Sequence, residues 1–215
     1  MSDEGGRVFA RIANRYDRLN SILSLGKEQH WRARAAAFLP EGVILDLGSG
    51  TGAAGPVLGR RTVVALDPEP EMLALSEMPL RVVGVGEDLP FGDESFDGVF
   101  SAYVFRNLAS VEATMKEIAR VLRPGGVAAI VDLARPPTPV KAAVHRTGTT
   151  VVLPAVGTLA GAPKEYWYLH RSLDKLPPPE ELLGHGPLKL EAVWRMGPLD
   201  FVYGAALRKR GTERR

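Results

Sequence analysis

Apolar and polar positions follow two rhythms along this chain. In the first stretch Val8, Phe9, Ile12, Ala13, Tyr16 and Leu19 recur at helical spacing, with Arg7, Arg11, Arg15 and Arg18 on the opposite side. Asn20 to Gly26 interrupts the pattern, and a second helical run, Lys27 to Leu39, stops at Pro40. The rhythm then changes to short apolar runs: Val43 to Leu47, Val63 to Leu66, the weaker Arg81 to Val85, Asp97 to Tyr103 and Val127 to Val131. Helix-like segments lie between them: Ala53 to Leu58, Glu69 to Ser76, and Val111 to Leu122, where Val111, Met115, Ile118, Ala119 and Leu122 share one face. Apolar strands alternating with helices predict a parallel sheet covered on both sides. After Asp132 the pattern is helical again, through Pro137 to Ala160 and an aromatic-rich run from Lys164 to Leu173, and Pro177-Pro178-Pro179 opens a short helix through Leu183. Two last strands, Leu188 to Trp194 and Leu199 to Leu207, predict an antiparallel hairpin through Met196-Gly197-Pro198.

Composition narrows the class without changing this picture. The 215 residues are 45% hydrophobic and 24% charged, as in an ordinary globular chain, and suit a single domain over 1–207. Within it, 1–39 is a helical entry segment and 133–183 a helical insert. The chain has no cysteine, which excludes a disulfide scaffold, thiol nucleophiles and cysteine-held metals. The four histidines, His30, His145, His170 and His185, lack metal-ligand spacing, so no metal is expected. Arg208 to Arg215 carries five cations against Glu213, a net +4 within an overall +2, leaving the preceding 207 residues at −2. A basic tail on a slightly acidic body argues against nucleic acid as a partner. The longest nearly apolar run, Thr149 to Ala162, falls short of the roughly 20 residues of a membrane span, and the acidic start is unlike a signal peptide, so a cytoplasmic location is expected.

The strongest local signal is Asp46-Leu47-Gly48-Ser49-Gly50-Thr51-Gly52, a buried strand running into a glycine turn that opens a helix. Glycines there admit positive φ and a close backbone approach to a ligand at the carboxyl end of the strands. Asp67, ending the next strand, is placed to accept hydrogen bonds from ribose hydroxyls. Two cofactors fit this much. Gly50-Thr51-Gly52-Ala53-Ala54-Gly55 matches the dinucleotide pattern G-x-G-x-x-G. S-adenosylmethionine, which has a ribose and adenine but no phosphate, fits equally, with Asp46, Gly48, Gly50 and Thr51 around its methionine end.

Downstream motifs separate the two. Glu87-Asp88-Leu89-Pro90-Phe91 with Ser95-Phe96-Asp97-Gly98-Val99 feeds the fourth strand, and Leu122-Arg123-Pro124-Gly125-Gly126 feeds the fifth. This ordered set resembles the class I S-adenosylmethionine-dependent methyltransferases. The resemblance implies a Rossmann-like α/β fold, a mostly parallel seven-stranded sheet with helices on both faces and a C-terminal antiparallel hairpin. Val8 to Asn20, Leu23 to Gly26 and His30-Trp31-Arg32, together with Phe105-Arg106-Asn107-Leu108 and Tyr166-Trp167-Tyr168-Leu169, are similar to the ubiquinone/menaquinone biosynthesis C-methyltransferase family. Val85 and Ala102 stand where that family often has polar residues, which leaves the backbone around Gly86 as the expected adenine contact.

The resemblance implies methyl transfer from S-adenosylmethionine to a ring carbon of a prenylated quinol such as demethylmenaquinol; another small hydrophobic acceptor is the alternative. The implied cofactor contacts are Asp46, Gly48, Gly50, Thr51, Asp67, Pro68, Met72, Gly86, Glu87 and Ala102. Ring methylation needs electron density from a phenolate, which a fixed cation stabilises. Arg106 is the candidate cation, Asn107 the group orienting the hydroxyl, Tyr16 and Tyr166 ring partners, and Asp132 a base. Arg106 has a plainer alternative, pairing with a carboxylate; Tyr16 is divided between packing and substrate contact; His145 and His170 are outside candidates for the base. The Thr149 to Ala162 run is expected to line an apolar channel beside the cofactor, with a plain buried helix as its alternative. A lipid-soluble acceptor makes the first-helix arginines and the basic tail candidate contacts to an inner membrane face. A homodimer is among the assemblies the resemblance allows.

Overall fold

A computed structural model describes residues 26–159, 172–174 and 176–211, with side chains described outside 153–159. Tyr16, Tyr166, His170 and the arginines of the first predicted helix lie outside the described residues.

Strands β1 (Val43–Leu47), β2 (Thr62–Asp67), β3 (Leu80–Val83), β4 (Phe96–Ala102), β5 (Leu122–Leu133), β6 (Lys189–Met196) and β7 (Val202–Arg208) form one sheet in the order β3-β2-β1-β4-β5-β7-β6. The first five are parallel; β7 runs antiparallel between β5 and β6. This is the sheet read from the apolar runs, hairpin included. Helices α1 (Glu28–Ala36), α2 (Gly55–Leu58), α3 (Pro70–Ala74), α4 (Val111–Val121), α5 (Pro139–Leu159) and α6 (Pro179–Gly184) complete the described elements.

Side chains alternate across the sheet and sort the core into two layers. Leu45 and Leu47 of β1, with Ala128 and Ile130 of β5, pack with Met115, Ile118 and Val121 of α4 and Leu183 of α6. Ile44, Phe100, Ala129 and Val131 face the other way, onto Trp31, Ala35 and Ala36 of α1 and Leu58 of α2. Ser110 caps α4 by accepting the Ala113 amide at 3.1 Å. The outer strands are blunted: β3 has four residues, and β6 carries Lys189, Glu191 and Arg195.

Two boundaries differ from the sequence reading. The strand expected at Val127 to Val131 runs from Leu122, because Gly125 takes φ +80 and folds the turn into a strand irregularity between Phe96 and Gly98 of its partner. Leu199, expected in a strand, instead belongs to a single 3₁₀ turn, Pro198–Asp200, before β7.

The basic tail is also partly structural. Arg208 ends β7, donating to Glu191 at 2.8 Å and to the Gly125 carbonyl at 2.9 Å, while Lys209 Nζ donates to the Leu122 carbonyl at 2.7 Å. Since Arg208 pairs with Val127 and Val202 with Leu133, this end of β7 lies at the amino edge of the parallel strands.

Candidate active site

Strand order reverses between β1 and β4, where an open α/β sheet leaves a crevice beyond its carboxyl ends. A cavity that opens to solvent occupies that place. Its walls include Gly48 to Thr51 after β1, Asp67 to Glu69 after β2, Met72 of α3, Val85 and Gly86 after β3, Ala102 to Val104 and Asn107 after β4, and Arg32 of α1.

The glycine turn is built by the backbone. The amides of Gly48 and Ser49 both donate to the Leu66 carbonyl, at 2.8 and 3.0 Å, which ties the turn to the end of β2. Gly48 adopts φ +71, and a Cβ there would collide with Cγ2 of Val104. Only glycine meets both demands, so the turn and the loop after β4 are in contact through that missing side chain. Asp67 holds the turn from the other side: Oδ2 accepts the Gly50 amide at 2.9 Å and Oδ1 accepts the Glu69 amide at 3.0 Å. Burial raises the Asp67 pKa, and these two amides oppose the rise. Each oxygen keeps a further acceptor position for a ribose hydroxyl.

Asp46 is buried, with Oδ2 lacking a partner, and burial pushes its pKa to about 7 against the lowering field of Arg32. Ser49 Oγ and the Tyr103 hydroxyl are likewise buried without partners. Tyr103 sits at φ +67, uncommon for an aromatic residue, and its amide donates to the Val131 carbonyl at 2.7 Å. Burial raises its hydroxyl pKa.

Arg106 and Asn107 lie in one 3₁₀ turn, Phe105–Asn107. Asn107 lines the cavity. Arg106 turns away from it and donates from Nη1 to Asp132 Oδ1 at 2.6 Å, both side chains being almost wholly buried. Asp132 Oδ2 accepts the Phe105 amide and Oδ1 the Leu133 amide, each at 2.7 Å. A much smaller space, lined by Arg106, Leu133, Leu182 and Tyr203 among others, lies on that side.

Eight of the expected cofactor contacts line the cavity: Gly48, Gly50, Thr51, Asp67, Pro68, Met72, Gly86 and Ala102. Asp46 lies beneath the turn. Glu87 does not reach the cavity wall; its Oε1 accepts the amides of Ala109 and Ser110, at 2.7 and 3.2 Å, and so fastens the start of α4. Asp132 is not exposed as a base, because its carboxylate is engaged by Arg106 and two amides. Arg106 does pair with a carboxylate, the plainer of its two readings. His145 stacks on Phe201 with ring centroids 5.2 Å apart. Of the Thr149 to Ala162 run expected to line an apolar channel, the side chains beyond Val152 lie outside the described residues, and Val151 and Val152 are exposed. The start of α5 is fastened at Lys141 to Asp200, in the turn before β7, and these valines point outward.

The sequence reading missed Arg32, Tyr103 and Val104. A signal existed for Arg32: Trp31, Ala35 and Ala36 form the buried face of α1, and Arg32 falls on that face although it is charged.

The donor set suits S-adenosylmethionine: partnerless polar atoms beneath and beside the glycine turn, a carboxylate at the ribose position, and apolar Val85 and Leu108 for adenine. Comparisons with known proteins agree. At the level of fold, an S-adenosylmethionine-dependent methyltransferase from Thermotoga maritima superposes with TM-score 0.69 at 18% identity, over 95% of this chain and 99% of that one. One from Aquifex aeolicus gives 0.59 at 20%, over 93% and 97%. In sequence, the demethylmenaquinone methyltransferase of Thermus thermophilus is 37% identical over 191 residues, 81% of this chain and 87% of the relative. That of a Roseiflexus species is 35% identical over 193 residues, 82% and 80%. The model of the ubiE/COQ5 methyltransferase family matches residues 2–185, and the chain belongs to that family.

Proposed function

We propose that this methyltransferase methylates a ring carbon of a demethylmenaquinol or a related prenylated quinol. The observation that carries the reading is that one cavity is lined both by the glycine turn and by Asn107 of the Arg106-Asn107 pair. Relatives named demethylmenaquinone methyltransferase at 35–37% identity support the choice of acceptor.

S-adenosylmethionine, when bound, supplies an already activated sulfonium methyl, so the protein's task is chiefly positioning. The Gly48–Thr51 turn receives the amino-acid end and Asp67 the ribose hydroxyls. Val85, Gly86 and Leu108 enclose the adenine. Asn107 orients the acceptor hydroxyl. Arg106, held by Asp132, fixes the turn that presents Asn107. Tyr16 and Tyr166 are retained as ring partners. With Asp132 engaged, the acceptor proton leaves to water.

The reading is tested with labelled S-adenosylmethionine and a short-chain demethylmenaquinol. Methyl transfer to the ring is expected, lost in Asn107→Ala while S-adenosylhomocysteine still binds. Transfer to no quinol overturns the acceptor. Binding of a nicotinamide dinucleotide in place of S-adenosylhomocysteine overturns the methyl donor.

Contact with a membrane surface belongs to the same proposal, and the exposed side of α5 supports it. Val140, Val144, Val151 and Val152 are all more than half exposed. Among the described residues no helix is long and apolar enough to cross a membrane. Pelleting with anionic vesicles is expected to fall in Val144→Asp/Val151→Asp; pelleting unchanged by that pair removes α5 from the contact.

A further inference from the structure

Arg32 is a buried cation on the cavity wall whose field reaches the Asp46 carboxyl. It is 6% exposed, on a helix locked by Trp31 and Ala35 in the core. Gln29, one turn earlier, donates to the Ala53 carbonyl at 2.9 Å and joins α1 to the glycine turn. The guanidinium lies 5.2 Å from the centroid of the Tyr103 ring and borders the cavity. Among the described residues no carboxylate is hydrogen-bonded to it. A guanidinium withdrawn from water, with an aromatic face beneath it and the Asp46 carboxyl within its field but not hydrogen-bonded to it, keeps donors that an anion placed before it can satisfy.

The choice of anion follows from the cavity's ligand. S-adenosylmethionine carries two cationic groups, the sulfonium and the α-ammonium, and one anionic group, the α-carboxylate. Near the sulfonium a protein cation is repulsive unless it meets that carboxylate. Arg32 shares the cavity wall with Ser49, Thr51 and Ala53, and Gln29 ties its helix to Ala53. We propose that Arg32 grips the α-carboxylate of S-adenosylmethionine, with the Tyr103 ring as the floor under its guanidinium. The grip makes the site select adenosyl ligands that retain their amino-acid end. It rests on S-adenosylmethionine being the ligand of the cavity. The left-handed backbone at Tyr103 is explained by the same arrangement, because it brings the ring under Arg32.

Calorimetry on the full chain tests this with two ligands, S-adenosylhomocysteine and methylthioadenosine, which lacks the amino-acid end. In Arg32→Gln, affinity for S-adenosylhomocysteine is expected to fall by about ten- to a hundredfold, the range of one or two charge-assisted hydrogen bonds. Methylthioadenosine affinity is expected to stay unchanged. Arg32→Lys, which keeps the charge but loses the fork, is expected to fall between. Equal weakening of both ligands assigns Arg32 a structural role and overturns the proposal, as does S-adenosylhomocysteine binding that ignores the substitution. Should Arg32→Gln fail to fold, the wild type decides. Decarboxylated S-adenosylmethionine binding as tightly as the parent overturns the grip; a loss of about tenfold or more supports it. A wild type that binds none of these ligands overturns the cofactor assignment itself, an outcome distinct from failure of the grip alone.

Discussion

The two sides of the crevice are held by different means. On the side of β1 and β2 the wall is backbone: a glycine turn hung from the Leu66 carbonyl and braced by Asp67. On the side of β4 and β5 the wall is the loop carrying Tyr103, Val104 and Asn107, braced from behind by a side-chain pair, Arg106 and Asp132, buried together and 26 positions apart in sequence. The first construction tolerates little change of shape, and the second little change of charge. The proposed donor side is shaped by backbone geometry, whereas the loop on the proposed acceptor side is held by charges paired across the sheet.

Removing the charge from the second wall has the largest expected effect. Asp132→Ala leaves Arg106 buried without its carboxylate and is expected to cost about 3–5 kcal/mol in denaturant unfolding. A loss below about 1 kcal/mol, the range of an exposed pair, would show that water reaches the pair and would erase the contrast. Next is the shape of the first wall. Gly48→Ala combines a left-handed backbone with collision against Val104, and is expected to cost about 2–4 kcal/mol. Adding Val104→Ala should recover the collision part and leave the backbone part. No recovery would mean that the two walls are not in contact there.

The smallest effect concerns Asp46, the one acid buried beneath the backbone wall. Its pKa rises from 3.8 unfolded to about 7 folded, chiefly through burial. Between those values the folded chain holds a proton that the unfolded chain has released. This group therefore lowers stability as pH rises through the window, with the penalty complete above about pH 7. Relative to the wild type, Asp46→Asn is expected to flatten the pH dependence of unfolding free energy by roughly 2 kcal/mol between about pH 5 and 7. Parallel profiles would show that Asp46 reaches water.

These walls also differ in how much of them the sequence discloses. The glycine turn, Asp67 and the strands leading to them are local patterns, because a turn with positive φ requires glycine wherever it occurs. The pairing of Arg106 with Asp132 is not local, and nothing near either residue announces the other. The sequence offers Arg106 a carboxylate partner as one of two readings, but does not identify that partner as Asp132. Glu87, expected as a cofactor contact, has partners equally remote in sequence: the amides of Ala109 and Ser110, more than twenty residues on. Arg32 was missed because a charged helix position is usually solvated, although its neighbours Trp31 and Ala35 placed it on a buried face. Gly125 set a strand boundary wrongly, since a glycine with positive φ reads as a turn even where the strand runs through it.

The chain leaves the sheet at Arg208 on the rim opposite the crevice, pinned there by Glu191 and the Gly125 carbonyl. That position is a natural handle. A fluorophore, an affinity support or an electrode linked just beyond Arg210 would hold the molecule with its mouth facing the solution. Ligand traffic could then be followed on an immobilised enzyme without crowding the entrance.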